Sequence, residues 1–359
     1  LRDDHGVESH FLIDDRSGIT RRVKLDGQVR ITYTADPSRG PAALLRYWRD
    51  FVRCFEADRP DVLEVYTAIH PVVILPMVAY ARARRVPCVV VCRGELYPEA
   101  FLRQSALRRG AFARILRLAD LIVYKEPYMA AMLREMSPGT AAYPWSNAVP
   151  VAPEPDYART ENHVLFLNFF KRPRNLDVIV RAAARVRERV PDVQVHLVGG
   201  TRQLADRSEF YRELHEHELE LEALIRSLGV EGCVHIHPFT TVVEPYFSAA
   251  KVFVFPSDNV FCNYSLLEAM ERGVPPVVSD DRDPNARLIV EDGESGRVAP
   301  IDPAALADAV VELLSDEEER RRLGRGARRK VEREYNLSLQ IAALAEQYRA
   351  VARRAGREV

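Results

Sequence analysis

The 359-residue chain is predicted to be an α/β protein of two domains, each a parallel β-sheet covered by helices. Three observations support this. At roughly 150 residues per domain the length suits two. Short apolar runs of strand length alternate with amphipathic runs at helical spacing along almost the whole chain, the pattern of successive βαβ units. A stretch with Pro144, Pro150, Pro153 and Pro155 and little apolar periodicity, residues 144–162, splits that alternation into two series and reads as an interdomain linker.

The first series places strands at residues 9–13, 29–33, 62–66, 87–92 and 121–124. The second places them at 164–167, 193–198, 234–237, 252–256, 276–279 and 296–299. Helices fill the intervals. The clearest spans 176–190, where Leu176, Ile179, Val180, Ala183 and Val190 share one face. Another begins after Asp302, a good N-cap, with Pro303 at the first helical position. Two Rossmann-like domains follow, residues 1–150 and 151–340, with parallel sheets facing across a cleft and ligands at the carboxyl ends of the strands. Residues 341–359 read as a C-terminal helix crossing back toward the first domain. The start of the chain is atypical. Residues 1–6 resemble the tail of a helix where a doubly wound domain opens with a strand and a Gly-rich turn, so an opening strand, loop and helix are expected upstream of Leu1.

Composition narrows the function. The chain is 47% hydrophobic and 29% charged, the balance of a globular protein. A formal net charge of -1 supplies no global field toward nucleic acid, so any basic surface is local. No apolar run approaches the roughly 18 residues of a membrane span. The cysteines at 54, 88, 92, 233 and 262 are odd in number and form no C-x-x-C pair, which fits a reducing cytoplasm better than a disulfide framework or zinc site. Arg103, Arg108, Arg109, Arg114 and Arg117 interleave with Leu102, Leu107, Phe112, Ile115 and Leu116. That stretch reads first as a core-packed helix with a solvated face, second as a peripheral contact with an anionic membrane or acidic acceptor. The charge run at 320–329 reads as exposed helix. His215 with His217, and His235 with His237, are spaced i,i+2 with no third ligand near in sequence, so no metal site is expected. Asp281 and Asp283 match an Asp-x-Asp metal motif but follow a strand of a βα repeat and read as loop.

Residues 253–279 carry the most information and read strand, loop, short helix, strand. Ser265 and Glu268 form a capping-box pattern, and Gly273 and Pro275 stop the helix about two turns later. The backbone N–H groups around Tyr264, Ser265 and Leu266 then offer an anion site at a strand end, worth about 0.3–1 kcal/mol from the helix dipole. This stretch resembles the donor-site motif of the GT-B retaining glycosyltransferases of the group 1 type (family 4), Pro-Ser-x-x-Glu-x-Phe-Gly-x-x-x-x-Glu-Ala-Met-x-x-Gly-x-Pro-Val-Val. Pro256, Ser257, Glu268, Ala269, Met270, Gly273, Pro275, Val277 and Val278 match, the last two after the extra Pro276. Downstream, Ile289, Gly293 and Gly296 match the family's I-x-x-x-G-x-x-G segment. Fainter matches lie at residues 6–12, 119–123 and at Asn147.

The resemblance implies roles residue by residue. Glu268 takes the Glu that holds the ribose hydroxyls, in competition with closing the capping box. Val260 stands where the family carries its first Glu, which contacts the donor sugar, and Cys262-Asn263 replaces Phe-Gly; Asp258 or Asn263 are left as candidates for the sugar hydroxyls. A basic loop with Lys171, Arg172 and Arg174 stands where the family clamps the diphosphate, Phe169 at its Arg and Arg174 at its Lys position. Fixed cations there stabilise a leaving diphosphate, each charge-assisted hydrogen bond contributing about 1.5–3 kcal/mol. Arg174 and Lys171 are the expected catalytic cations and Arg172 is expected to be exposed. Gly199 opens a turn that lets backbone approach the nucleotide, and Phe239 ends the segment that flanks the base. Arg93 stands near the position of a family His, with Glu95 beside it, and reads equally as a strand-end ion pair; His70 is a weaker cleft candidate.

The implied activity is retaining, metal-independent transfer of a sugar from a nucleoside diphosphate sugar to an acceptor hydroxyl on a small molecule, glycan or lipid-linked carrier, without a resident cofactor. It implies a cytoplasmic enzyme, with peripheral membrane contact left open. Two alternatives stay open: a non-catalytic module binding nucleotide sugar or carbohydrate, which Val260 favours, and a GT-B nucleotide-sugar epimerase.

Overall fold

A computed structural model describes residues 9–15, 22–25, 29–67, 71–92, 103–126, 129–153, 161–260, 262–280 and 286–357. The chain divides into two compact units, Leu1–Ser146 with Ser338–Val359, and Asn147–Leu337. The expected helix tail at residues 1–6, and His70, Arg93, Glu95, Asp281 and Asp283, lie outside the described residues.

In the first unit, β1 (Ser9–Asp15) and β2 (Arg22–Leu25) flank β3 (Val29–Ala35), the former parallel to it and the latter antiparallel. Helix α1 (Pro41–Asp58) follows and is tied to β3 by a hydrogen bond from Thr34 Oγ1 to Asp50, 3.0 Å. A second sheet is wholly parallel, in the order β4 (Leu63–Tyr66), β5 (Cys88–Cys92), β6 (Leu121–Tyr124), β7 (Ala142–Pro144). Its crossover helices are α2 (Pro71–Ala83), α3 (Ala106–Leu118) and α4 (Met129–Met136). All five residues of β5 are buried, as a strand covered on both faces requires. One face packs Cys88, Val90 and Ile122 against Phe51, Ile74 and Ile115. The other packs Val89, Val91, Leu121 and Val123 against Leu344 and Val351 of the C-terminal α12 (Leu337–Arg354), where Tyr348 donates its hydroxyl to Glu64.

The second unit is a six-stranded parallel sheet. In chain order its strands are β8 (His163–Leu167), β9 (Gln194–Gly200), β10 (Val234–Pro238), β11 (Ala250–Phe255), β12 (Pro276–Val278) and β13 (Arg297–Val298). In space they run β10-β9-β8-β11-β12-β13. The chain winds outward from β8 through β9 to β10, then returns to lay β11 against the other edge of β8. β8 and β11 thus sit where the winding reverses, and the loops leaving their carboxyl ends meet there, at the position where open α/β sheets bind ligands in a crevice. Helices α5 (Leu176–Arg189), α6 (Glu209–Ser227), α7 (Glu244–Ala249), α8 (Tyr264–Glu271), α9 (Ala286–Ile289), α10 (Pro303–Ser315) and α11 (Glu317–Glu334) complete the unit.

The sequence-predicted strands and the helix at 176–190 are present, within a residue or two at their ends. Asp302 accepts from the N–H groups of Ala304 and Ala305, with Pro303 behind it. Two strands were not predicted. β2 alternates charged and apolar residues over only four positions, and β7 is a three-residue edge ending on proline. The proline-rich stretch is not free chain at its start. Val149 donates to the Tyr335 carbonyl and Ala152 donates to the Glu271 carboxylate, 2.9 Å each, so residues 147–153 are bonded into the second unit.

The charge run at 320–329 also departs from expectation. Arg320 and Arg328 are each 6% exposed. Gly324 and Gly326 bring α11 so close to the backbone of Gly273 and Glu294 that a Cβ at either would overlap a carbonyl oxygen. The buried guanidiniums replace water with protein acceptors: Arg320 donates to Leu313, and Arg328 to the Glu271 carbonyl and carboxylate and to Ala152 and Pro153. Among the described residues no helix is long and apolar enough to cross a membrane.

Candidate functional site

Helix α8 starts two residues earlier than its capping-box pattern predicts. Asn263 is the N-cap, in extended conformation, and its Oδ1 accepts from the N–H of Ser265 at 2.9 Å and its hydroxyl at 2.7 Å. Asn263 competes well for the cap because its amide oxygen reaches the second helical N–H without straining the backbone. Ser265 is thereby corrected from cap to a buried first-turn residue, and Glu268 has no part in the cap. Leu266 and Leu267 point into the core, so Leu266 offers a ligand only its backbone, whereas Tyr264 is 56% exposed. Glu268 is half-buried; burial raises its carboxyl pKa, Glu271 and Glu244 add to this, and Arg272 opposes it. The rear of α8 is held by the Arg328–Glu271 contact, which fixes where its front end points.

Opposite, the loop leaving β8 is stitched to the loop leaving β11. Arg174 Nη1 donates to Ser257 Oγ and to the Asn259 carbonyl, both 2.8 Å, with its guanidinium 4.8 Å over the Phe255 ring. Ser257, itself buried, donates on to Pro173 at 3.1 Å. Asn175, at φ 53°, sends its amide to the Pro256 carbonyl and the Asp258 carboxylate, both 2.8 Å. Asn168 reaches Asn263 Oδ1 at 3.4 Å, joining this loop to the α8 cap. The sidedness of the crevice thus comes from β8 and β11, while its geometry comes from side chain to backbone bonds that a motif does not reveal.

The other two cations differ from Arg174. Lys171 is exposed, with Nζ 5.2 Å from the Phe210 ring on α6, and is not gathered into the Arg174 network. Arg172 is exposed and holds Glu220 through two hydrogen bonds of 2.8 and 2.7 Å, which raise its pKa. Val260 is wholly buried in the core of the unit, so the position of the motif Glu faces inward. Asp258 already accepts from Asn175, and Asn263 is occupied as the cap. The Cys262 carbonyl takes the amide of Asn147 at 2.6 Å.

Gly199 closes β9 at φ 138°, where a Cβ would overlap the Asn168 carbonyl, so only glycine lets the β8 and β9 ends approach this closely. Phe239 caps β10, its N–H donating to the Gly200 carbonyl at 2.7 Å. Its ring stacks on Phe169, the residue at the family's Arg position, with centroids 5.2 Å apart.

Sequence reasoning missed a histidine cluster. It paired His235 with His237, but the parallel register sets His196 beside His235 and puts His163 on the same face. His196 Nδ1 meets His237 Nε2 at 3.0 Å, His235 meets Gln194 at 2.6 Å, and His163 meets Glu161 at 2.9 Å. Burial, then the neighbouring imidazoles, lower the His196 pKa to about 4. Residues on three strands converge only through register, so linear spacing carries no signal of it. His217 bonds the Phe170 carbonyl at 2.7 Å. Among the described residues no group of three or more His, Cys, Asp or Glu is arranged to hold a metal ion.

Two family profiles match the chain in tandem: the glycosyl transferase 4-like domain over residues 2–142 and glycosyl transferases group 1 over residues 161–316. The chain belongs to the group 1 type of GT-B glycosyltransferase. Among curated relatives of this family, the D-inositol 3-phosphate glycosyltransferase of Corynebacterium diphtheriae is 34% identical over 164 residues, 44% of this chain and 35% of that one. A phosphatidyl-myo-inositol mannosyltransferase of Mycobacterium tuberculosis is 30% identical over 211 residues, 55% and 49% of the two chains. The group 1 chain here thus spans about a third to a half of the length of these relatives. Among solved structures, sucrose-phosphate synthase of Thermosynechococcus elongatus superposes with a TM-score of 0.70 at 19% identity, covering 95% of this chain and 88% of that one. The Anabaena HepE protein in complex with UDP and glucose gives 0.67 at 16% identity, covering 89% and 86%. Both share the fold of this chain.

Proposed function

We propose that this chain is a retaining glycosyltransferase that moves a sugar from a nucleoside diphosphate sugar to an acceptor hydroxyl. The observation that carries the reading is the meeting of the Arg174 loop with the α8 N-terminus at the β8–β11 crevice. As the bond between the anomeric carbon and the diphosphate oxygen breaks, negative charge grows on the leaving phosphate. A fixed guanidinium and a helix N-terminus stabilise that charge more in the transition state than in the ground state. Lys171, on a flexible stem, swings to the phosphate when donor arrives. Glu268 accepts hydrogen bonds from the ribose hydroxyls, a role left open to it because Asn263 caps the helix. The acceptor hydroxyl attacks the face the diphosphate leaves, and its proton passes to the departing phosphate oxygen, so configuration is retained without a protein nucleophile. Arg93, in the first unit, is assigned to an anionic acceptor or donor phosphate. Positive side chains take the charge-neutralising role a divalent ion holds in other glycosyltransferases.

The names of the relatives make inositol-containing acceptors, free or lipid-linked, the first to test. Release of nucleoside diphosphate and formation of acceptor product are followed together across several donors. Matched release and product are expected, with Arg174→Ala slowing turnover about 10- to 100-fold, the equivalent of one charge-assisted bond, and Glu268→Ala weakening donor binding. A second reading, a module that binds nucleotide sugar without turning it over, draws on the burial of Val260. Tight binding with no turnover on any acceptor favours that module; diphosphate release without acceptor product favours an epimerase.

A further inference from the structure

We infer that Asn147 is a positioning residue of the donor site: its side-chain amide, at the start of a strap fastened to both ends of α8, sets where the front of that helix points. The inference rests on the donor-site reading above and assigns a task to a residue that acts through another, Cys262.

Asn147 is the first residue of the second unit, directly after the chain leaves the first. Its Nδ2 donates to the Cys262 carbonyl at 2.6 Å, and the Cys262 thiol donates to the Asn147 carbonyl at 3.4 Å. Cys262 immediately precedes Asn263, the cap of α8. The helix's own ladder begins one residue later, with Leu267 donating to the Asn263 carbonyl at 3.0 Å, so the peptide between Cys262 and Asn263 is oriented from outside the helix. Burial of the Cys262 side chain, 2% exposed, holds that peptide on one side and the Asn147 amide holds it on the other. Fixing the peptide that carries an N-cap fixes the direction of the first-turn N–H groups.

Five residues on, the same strap reaches the rear of the helix. The Ala152 N–H donates to the Glu271 carboxylate at 2.9 Å, and Arg328 joins Ala152 and Glu271 from α11. Five extended residues reach about 17 Å, enough to run beside the roughly 12 Å of an eight-residue helix. Midway the strap is tied down. Val149 is buried, donates to the Tyr335 carbonyl and accepts from the Leu337 N–H, both 2.9 Å. A strap fixed at its middle resists movement of what it holds at its ends. Arg174 and Asn175 hold the other end of the loop that enters α8, at residues 256–259. Arg174 also brings charge to the phosphate, whereas Asn147 brings alignment alone.

Calorimetric titration of the full chain with inorganic pyrophosphate, UDP, ADP and GDP tests this in the wild type, Asn147→Leu, Asn147→Gln and Asn162→Ala. Leucine keeps the branched shape of asparagine and removes the donor; glutamine keeps an amide donor on a longer stem. Asn162 bonds Asp192 and Lys251 at the amino end of β8, so its alanine variant controls for the loss of an amide elsewhere in the unit. In Asn147→Leu, affinity for each ligand that binds the wild type is expected to fall about fivefold, the equivalent of one net hydrogen bond. Asn147→Gln should recover part of that loss and Asn162→Ala should match the wild type. Hydrogen–deuterium exchange without ligand should quicken at residues 263–267 in Asn147→Leu and stay unchanged in α5. Unchanged affinity in Asn147→Leu, equal losses in the leucine and glutamine variants, or exchange that quickens equally in α5 overturns the positioning role and leaves the donor reading standing. Wild type that binds none of the four ligands overturns the donor reading itself, and the positioning role with it.

Discussion

Val260 illustrates what a single residue does to a motif. The side chain lies in the same core cluster as Leu266, Leu267 and Phe255, wholly shielded from water. Restoring the family's glutamate there would bury a carboxylate among hydrocarbon, at a cost of several kcal/mol or with a strongly raised pKa. Val260→Glu is therefore expected to lose about 3 kcal/mol or more of unfolding free energy in urea and to gain no transferase activity; a stable variant with faster turnover would contradict the inward placement. Residues whose role depends on type alone were legible in the sequence. Gly199 is one, because a positive φ and a close backbone approach admit little else. Residues whose role depends on direction were not. Ser265 and Asn263 are both good caps by type, and only the chain path decides that Asn263 takes the N–H. Lys171 and Arg174 are both cations, and only the Ser257–Asn259 loop distinguishes them.

At the scale of elements, periodicity carried most of the information. β5 is an unbroken apolar run, β11 is one but for Lys251, and α5 repeats its apolar face every three to four residues, so each could be read directly. Properties that arise between elements could not be read. α11 has the composition of a solvated helix, but two glycines turn it into a buried brace behind α8. The histidines of β8, β9 and β10 become neighbours only in register, and their consequence is a pH dependence. His196 is held below its ordinary pKa, at about 4, first by burial and then by His163, His237 and His235; His237 is lowered too, by burial and His235. Above pH ~6.5 both folded and unfolded chains carry the neutral imidazole and stability is unaffected. As pH falls through ~6.5 the unfolded chain binds a proton that the folded chain refuses, so stability drops until about pH 4, by about 1–3 kcal/mol for His196 after allowance for its partial exposure. Urea midpoints measured from pH 7.5 to 5 are expected to fall in the wild type and to fall less in His196→Leu. Parallel slopes for the two proteins would show that the cluster does not set the dependence.

For the whole molecule, the division into two units was readable because the strand series is interrupted once, by prolines. The doubly wound order of the second unit was not readable from any one strand. It emerges from β11 returning beside β8, and that return makes the β8–β11 crevice the place where a helix N-terminus and an arginine converge. The first unit contributes the parallel β4–β7 sheet and receives α12 on one face of it, so the last helix stabilises the unit that begins the chain. The central claim is that the second unit holds a nucleoside diphosphate at this crevice. Hydrogen–deuterium exchange on the full chain, with and without saturating ADP, GDP or UDP, tests it most directly. The expected result is slower exchange on adding at least one of them at residues 168–175, 199–201 and 257–267, without comparable change in the four-stranded sheet of the first unit. Protection confined to other segments, or no protection with any nucleoside diphosphate, would contradict it.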